Sequence, residues 1–297
     1  MSTELFNRGY SLLVGPKYSG RDDDPNGLLI DELRVAFKIE KSLDAIPNTA
    51  VFDVYNLSKK SRSLLEESTM KKERVPAVIF NAGYGTNIKN LFTGDASFVV
   101  SKKAGADIQT TIECGDGEAA FASARLDKSF SPGATAGAIL KDLKTALGID
   151  TGQVKGFNSS DQFLNGLSLT GPVRNHLDLI TKRQGLEWSI QNNQLQILPT
   201  KEALNEDVIV LNSATGLVGT PLRTKMVNQS LLLNKDGKQS TSGVLCTALL
   251  NGEIKPGRRV KIESDFFDGE IFKVYKCVYL GDSHSNSWFV EIEGVPL

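Results

Sequence analysis

The stretch that most constrains this chain is Thr170–Pro199, TGPVRNHLDLITKRQGLEWSIQNNQLQILP. Pro172 stands where a first helical residue belongs, because the N–H it lacks would have no intrahelical partner there. Val173, Leu177 and Ile180 follow at i, i+4 and i+7 and form one apolar stripe. Lys182 and Arg183 place positive charge in the last turn, and Gly185 supplies a left-handed stop. Leu186, Trp188 and Ile190 then alternate with polar residues, Asn192-Asn193 turns the chain, and Leu195 and Ile197 alternate back. A helix followed by a hairpin is a packing unit. It contains no nucleophile or metal-ligand pattern, which moves the question from catalysis to assembly.

The flanking thirds read as β. Ahead of the unit, Leu33–Glu40 and Thr49–Asn56 are strands separated by a turn at Pro47-Asn48. Ser58 caps a short helix, SKKSRSLLEES, anchored by Leu57, Leu64 and Leu65. Strands follow at Val75–Asn81, Leu91–Phe92, Ala96–Ser101 and Asp107–Glu113, with turns expected at Gly94-Asp95 and Ala104-Gly105-Ala106. Strands of this number around one small helix suggest a closed or nearly closed barrel, which removes exposed edges. The break at Cys114-Gly115-Asp116-Gly117 opens a helical middle third. Thr135 is its N-cap, Ile139, Leu140, Leu143 and Leu147 its stripe, and Gly148 its end. Thr151–Asn165 is polar and loop-like. Beyond Pro199, strands are expected at Val208–Leu211, Ser230–Asn234, Gly243–Leu250 and Val260–Glu263, with a turn at Asp236-Gly237. A hairpin pairs Ile271–Leu280 with Trp288–Glu293, burying Trp288, Val290 and Ile292 on one face.

At 297 residues the chain has room for two or three domains. The expected division is 1–115, 116–205 and 206–297, with discontinuous domains allowed. The net charge of −1 gives no electrostatic reason for a nucleic-acid or anionic-membrane partner. The basic run Lys71-Lys72-Glu73-Arg74 reads as a solvated helix end or loop. No apolar run is long enough to cross a bilayer, so no stable membrane insertion is expected, and the N-terminus lacks a signal-peptide pattern. Cys114, Cys246 and Cys277 are an odd, widely spaced set, which argues for reduced, partly buried thiols in a protein made in a cytoplasm.

Residues that could carry chemistry fall short of the patterns chemistry needs. His176 lies on the polar side of its helix and His284 in the turn DSHSNS. Both read as solvated or locally bonded imidazoles, without HExxH or HxxxH spacing. Ser168 in GLSLTG has the wrong spacing for a nucleophile elbow and reads as a short strand leading into a helix cap. Asp22-Asp23-Asp24 lacks the distal Glu of a calcium loop and reads as an exposed loop, with Pro25-Asn26-Gly27 at its tip. Asp116 and Glu118 can be read as an acid pair, but the sequence gives no separation between them, and they read as a turn and a helix N-terminus, where acids are favoured. No P-loop or GxGxxG is present, and the aromatics do not interleave with a basic patch. No catalytic, cofactor-binding or metal-ligating residue is therefore assigned, and no cofactor is expected.

Taken in order, several segments resemble the baseplate hub proteins of phage tails and the hub half of type VI secretion spike proteins. TAVFDVYNLSKKSRSLLEE (49–67), the strand with AGY (82–84) and LFTGDASFVV (91–100) are similar to the family's N-terminal, tube-like barrel. ARLDKSFSPGATAGAILKDLKTALGI (124–149) resembles the opening of its inserted domain. The 171–199 unit resembles its helix, aromatic strand and hairpin. GRRVKIES and IFKVYKCVYLGDSHSNSWFVEIEG are similar to the closing strands of a second barrel. The resemblance implies an α+β, mainly β chain: two tail-tube-like β-barrel domains with an inserted α/β domain. It also implies a non-enzymatic homotrimeric ring in the virion, assembled in the host cytoplasm, that joins the sixfold tail tube to the threefold central spike. The implied partners are tail tube protein, central spike protein and other baseplate or wedge proteins. Loops Gly20–Asn26 and Gly281–Ser287 are candidate neighbour contacts. No OB-fold, needle-like β-helix or lysozyme-like domain is read within the chain, so a spike tip is expected on a separate polypeptide. Two other readings are a cell-wall hydrolase of the tail tip and a receptor- or glycan-binding baseplate module.

Overall fold

A computed structural model describes residues 7–15, 27–70, 76–224 and 243–297. The expected loop at Asp22-Asp23-Asp24, the run Lys71–Arg74, the strand Ser230–Asn234 and the turn Asp236-Gly237 lie outside these residues. The first third contains β1 (Arg8–Gly15), β2 (Leu28–Ile30), β3 (Val35–Ser42), β4 (Thr49–Tyr55), α1 (Lys59–Met70), β5 (Ala77–Tyr84), β6 (Asn87–Ala104) and β7 (Asp107–Gly115). The middle contains α2 (Glu118–Ser123), β8 (Lys128–Phe130), β9 (Ala134–Thr135), α3 (Ala136–Leu147), β10 (Asp150–Val154), β11 (Gln162–Phe163), β12 (Leu167–Leu169), α4 (Val173–Arg183), β13 (Leu186–Gln191) and β14 (Gln194–Pro199). The last third contains β15 (Ile209–Leu211), β16 (Leu217–Thr224), β17 (Gly243–Leu249), β18 (Arg259–Ser264), β19 (Phe267–Asp282) and β20 (Trp288–Pro296).

The chain is mainly β with a few helices. Period-2 alternation builds the strands: Val35, Phe37 and Ile39 of β3 and Ala50, Phe52 and Val54 of β4 are buried, with partly or fully exposed residues between them. Two tail-tube-like barrel domains are expected from the sequence. Among the described residues, thirteen strands pair into one sheet, ordered β16-β17-β20-β19-β3-β4-β7-β6-β5-β1-β2, with β18 on β19 and β15 on β18. Among the described strands no pairing closes either half on itself. The reason lies in β3 and β19, which pair antiparallel from Ala36↔Asp282 to Ser42↔Lys276 and so fuse the outer thirds. One apolar core accordingly contains residues of both, from Leu12 to Cys114 and from Leu211 to Ile292.

A second core belongs to the middle third. It gathers Ile139, Leu140, Leu143 and Leu147 of α3, Val173, Leu177 and Ile180 of α4, and Trp188, Ile190, Leu195 and Ile197 of the hairpin. The expected stripes therefore face one another, and helix ends fall close to the capping residues. Thr135 accepts a hydrogen bond from the Ala138 N–H, and Gly148 sits at φ 69°. Ser58 accepts one from the Ser61 N–H ahead of α1. Pro172 is one residue earlier than expected: it occupies the N-cap position, with extended backbone. Two local expectations fail. Gly94-Asp95 is not a turn but lies inside the 18-residue β6, whose register shifts between Ala96 and Phe98 absorb the irregularity. Thr151–Val154 is not loop but part of β10, parallel to β14, because the hairpin offers it an open edge.

Candidate functional site

The seam between the middle third and the large sheet gathers buried charged side chains from both. It starts at Asn192-Asn193, which turn the β13–β14 hairpin with φ of 55° and 60°. Such positive angles suit Asn and match a hairpin turn to strand twist. The tip lands on Asp116, which follows β7 and is wholly buried. One Asp116 oxygen accepts the Asn192 N–H at 2.7 Å, and the other accepts the Asn193 N–H at 2.6 Å. Asn48 completes the joint: its amide donates to Asp116 at 3.0 Å and to the Ile190 carbonyl at 2.7 Å, while its oxygen accepts the Ser42 N–H. A buried carboxylate is tolerated because these donors replace its hydration.

Lys41, almost fully buried on β3, donates to the Asn192 side chain at 2.5 Å. Burial pushes its ammonium below the ordinary lysine range, with Asp116 pulling partly the other way. Farther along the seam Lys273 of β19, equally buried, is paired with Glu187 of β13 and donates to the Thr200 carbonyl at 3.2 Å. Burial pushes the Glu187 carboxyl above its ordinary range despite the opposing charge of Lys273. Between these polar joints Leu43, Tyr275 and Val295 of the sheet pack against Leu198 and Leu204 of the insert. Arg258 and Lys255 both engage Glu206, the latter at 3.1 Å.

A second joint links the two thirds of the sheet. Trp288 packs edge-on against Phe37, with ring centroids 5.2 Å apart, and Phe37 lies tilted against Phe80, with centroids 4.6 Å apart. The Trp288 indole N–H donates to the Gly83 carbonyl at 3.3 Å. Gly281 makes room for this: a Cβ there would come within 2.3 Å of the Phe37 ring. Arg34 makes a two-pronged bond to Asp282, at 2.7 and 3.2 Å, and lies over the Tyr55 ring. Arg8 donates to the carbonyls of Ser285 and Asn286. The 281–287 turn is thus anchored to the first third of the chain.

The candidate residues of the sequence scatter. Asp116 is in the seam, with both oxygens accepting hydrogen bonds, whereas Glu118 is exposed at the start of α2. His176 corrects the reading of a polar-side residue: it is 6% exposed, and its Nε2 lies 3.3 Å from the Leu126 carbonyl. His284 is exposed in its turn, with Nδ1 2.9 Å from the Ser283 hydroxyl. Ser168 lies on β12, 3.2 Å from the Ser129 hydroxyl. The three cysteines are free and buried, and burial raises all three thiols, Cys246 to about 12 and Cys277 to about 11. No described His, Cys, Asp and Glu residues cluster in a way that could hold a metal. Sequence reasoning missed Lys41, Asn48, Glu187 and Lys273. Lys41 had a signal, since it continues the inward parity of Val35, Phe37 and Ile39. Lys273 had none, because β19 is buried on both faces there.

The whole-chain fold recurs in tail proteins. The 43 kDa tail protein of prophage MuSo2 from Shewanella oneidensis superposes with a TM-score of 0.65 at 10% identity, over 96% of each chain. A tail protein from Neisseria meningitidis MC58 gives 0.64 at 11%, over 97% of this chain and 96% of that one. The E. coli c3393 protein, a type VI secretion component described as similar to the T4 phage tail proteins gp27 and gp5, gives 0.58 at 8%, over 96% and 76%. No curated protein sequence matches. The family model described as "Baseplate hub gp41" matches residues 14–294, and the chain therefore belongs to the baseplate hub gp41 family.

Proposed function

We propose that this chain is the structural hub of a phage tail baseplate, three copies of which form a ring between the sixfold tail tube and the threefold central spike. The family match over residues 14–294 carries this reading. In it, residues 1–115 and 206–297 each take the place of one tube-like unit as the two halves of the continuous sheet, so that three copies present six around one axis, and residues 116–205 are an inserted domain that braces them. The pairing of β3 with β19 supports a unit that transmits force, since backbone ladders and the aromatic joint hold the two halves in one register. The buried seam supports the bracing role. Its partners are further copies of itself, the tube protein, the spike and neighbouring baseplate proteins, and its place is the virion tail after assembly in the host cytoplasm. The role is mechanical and needs no catalytic group. Light scattering and negative-stain imaging of the purified chain, alone and with tube protein, test it. A three-copy mass and a threefold ring with a lumen are expected. A monomer at high concentration that forms no ring beside the tube protein would refute the reading.

A further inference from the structure

The seam contains a small cavity of about 160 Å³ whose lining has an unbalanced chemistry. Lys41, Gln191 and Gln196 form its inner wall, and Gln153, Gln194 and Lys255 stand nearer the surface. The lining includes two cations and no carboxylate. The acids that act on these two cations, Asp116 and Glu206, are already engaged. Asp116 accepts from the Asn192 and Asn193 amides and from Asn48, and Glu206 is shared by Lys255 and Arg258. Two buried donors are left under-used. Gln196 is 8% exposed, and its Nε2 has no partner among the described residues. Lys41 is 4% exposed and donates to one neutral oxygen, that of Asn192, although an ammonium has three N–H groups. Buried donors without acceptors are costly, and Asp116, the acid whose charge reaches Lys41, bonds to other donors rather than to its ammonium.

We propose that this cavity is a binding site for a small oxyanion, held by the Lys41 ammonium and the Gln196 amide, with Lys255 at the entrance. The ligand chemistry is a tetrahedral or planar anion such as phosphate or a carboxylate. Two sources can supply it: a free inorganic ion, or an acidic side chain or chain terminus of a neighbouring protein. A bound anion supplies the missing acceptors and adds to Asp116 a second negative charge that favours the protonated form of Lys41, and it ties β3 to β14. Binding therefore stiffens the insert against the sheet. This site is independent of the hub reading.

The test is titration of the full chain with sodium phosphate, sodium glutamate and sodium chloride at matched ionic strength, following thermal midpoint and, for phosphate, the ³¹P linewidth. Phosphate stabilises proteins generally by exclusion from their surface, so the informative quantity is the difference between wild type and Gln196→Leu. Wild type is expected to bind phosphate saturably. Gln196→Leu, which keeps Lys41, is expected to bind roughly tenfold more weakly, as the loss of one hydrogen bond to a charged group implies. Lys41→Met is expected to abolish the saturable component. Saturation by phosphate alone supports a free ion, and saturation by glutamate as well supports a carboxylate from a partner. Equal, non-saturating responses to all three salts, or undiminished phosphate binding in Gln196→Leu, would overturn the site. Should Lys41→Met not fold, Gln196→Leu and the wild-type linewidth decide it.

Discussion

At the scale of single residues, Asp116 is the clearest case of a side chain fixed by its surroundings. It accepts two backbone N–H groups of a turn that comes from 76 residues away in sequence, and a third bond from Asn48. Asp116→Ala removes those acceptors and leaves the half-buried Asn192 and Asn193 N–H groups without partners, while the Asn48 amide keeps the Ile190 carbonyl. The expected loss is about 3 kcal/mol, in line with orphaned hydrogen-bonding groups near a charge. Urea denaturation measures it, and a change below about 0.5 kcal/mol would mean the turn finds other acceptors. Asp282 offers a pH test. Burial raises its carboxyl, but the Arg34 bond and the His284 N–H outweigh burial, so its net shift is downward. A carboxylate held below its unfolded value of about 3.9 adds stability at higher pH and loses it as pH falls through the folded value. Asp282→Asn is therefore expected to lower the urea midpoint at pH 7 and to flatten its decline below about pH 4. An unchanged acid limb would show that the pair contributes nothing.

At the scale of elements, local signals were legible where one physical cause sufficed. The α3 stripe, its Thr135 cap and its Gly148 end lie within a few residues and follow from helical geometry alone. Thr135→Ala is expected to cost about 1 kcal/mol, since the Ala138 N–H loses its acceptor, while Thr135→Ser should restore most of it. Equal stability of the two variants in thermal unfolding would disprove capping as the cause. Signals failed where a distant partner decided. Thr151–Val154 reads as a loop because its polar composition gives no alternation, yet β14 presents an unpaired edge that it completes. His176 reads as polar-face, but the 124–127 segment crosses that side of α4 and covers it. The seam was half legible. The Asn192-Asn193 turn was visible, whereas its acceptor, Asp116, was visible only as an ambiguous acid.

At the scale of the whole molecule, the question is whether the first and last thirds are two bodies in contact or one. Strand composition alone cannot distinguish these, since β3 and β19 would show the same alternation as edge strands of separate barrels. The observed pairing over seven residues, with Trp288, Phe37 and Phe80 stacked across it, makes one body. Trp288 is wholly buried, and its loss removes one end of that stack and opens a cavity beside Phe37. Trp288→Ala is expected to cost about 3–5 kcal/mol, as large-to-small changes of buried aromatics do. If the sheet unfolds as a unit, amide exchange in β4 and β7, which lie in the first third, should accelerate with that in β17 and β20, by roughly a hundredfold or more. Two separate bodies would respond differently, with faster exchange confined to the strands of the last third. Hydrogen exchange followed by mass spectrometry separates the outcomes peptide by peptide.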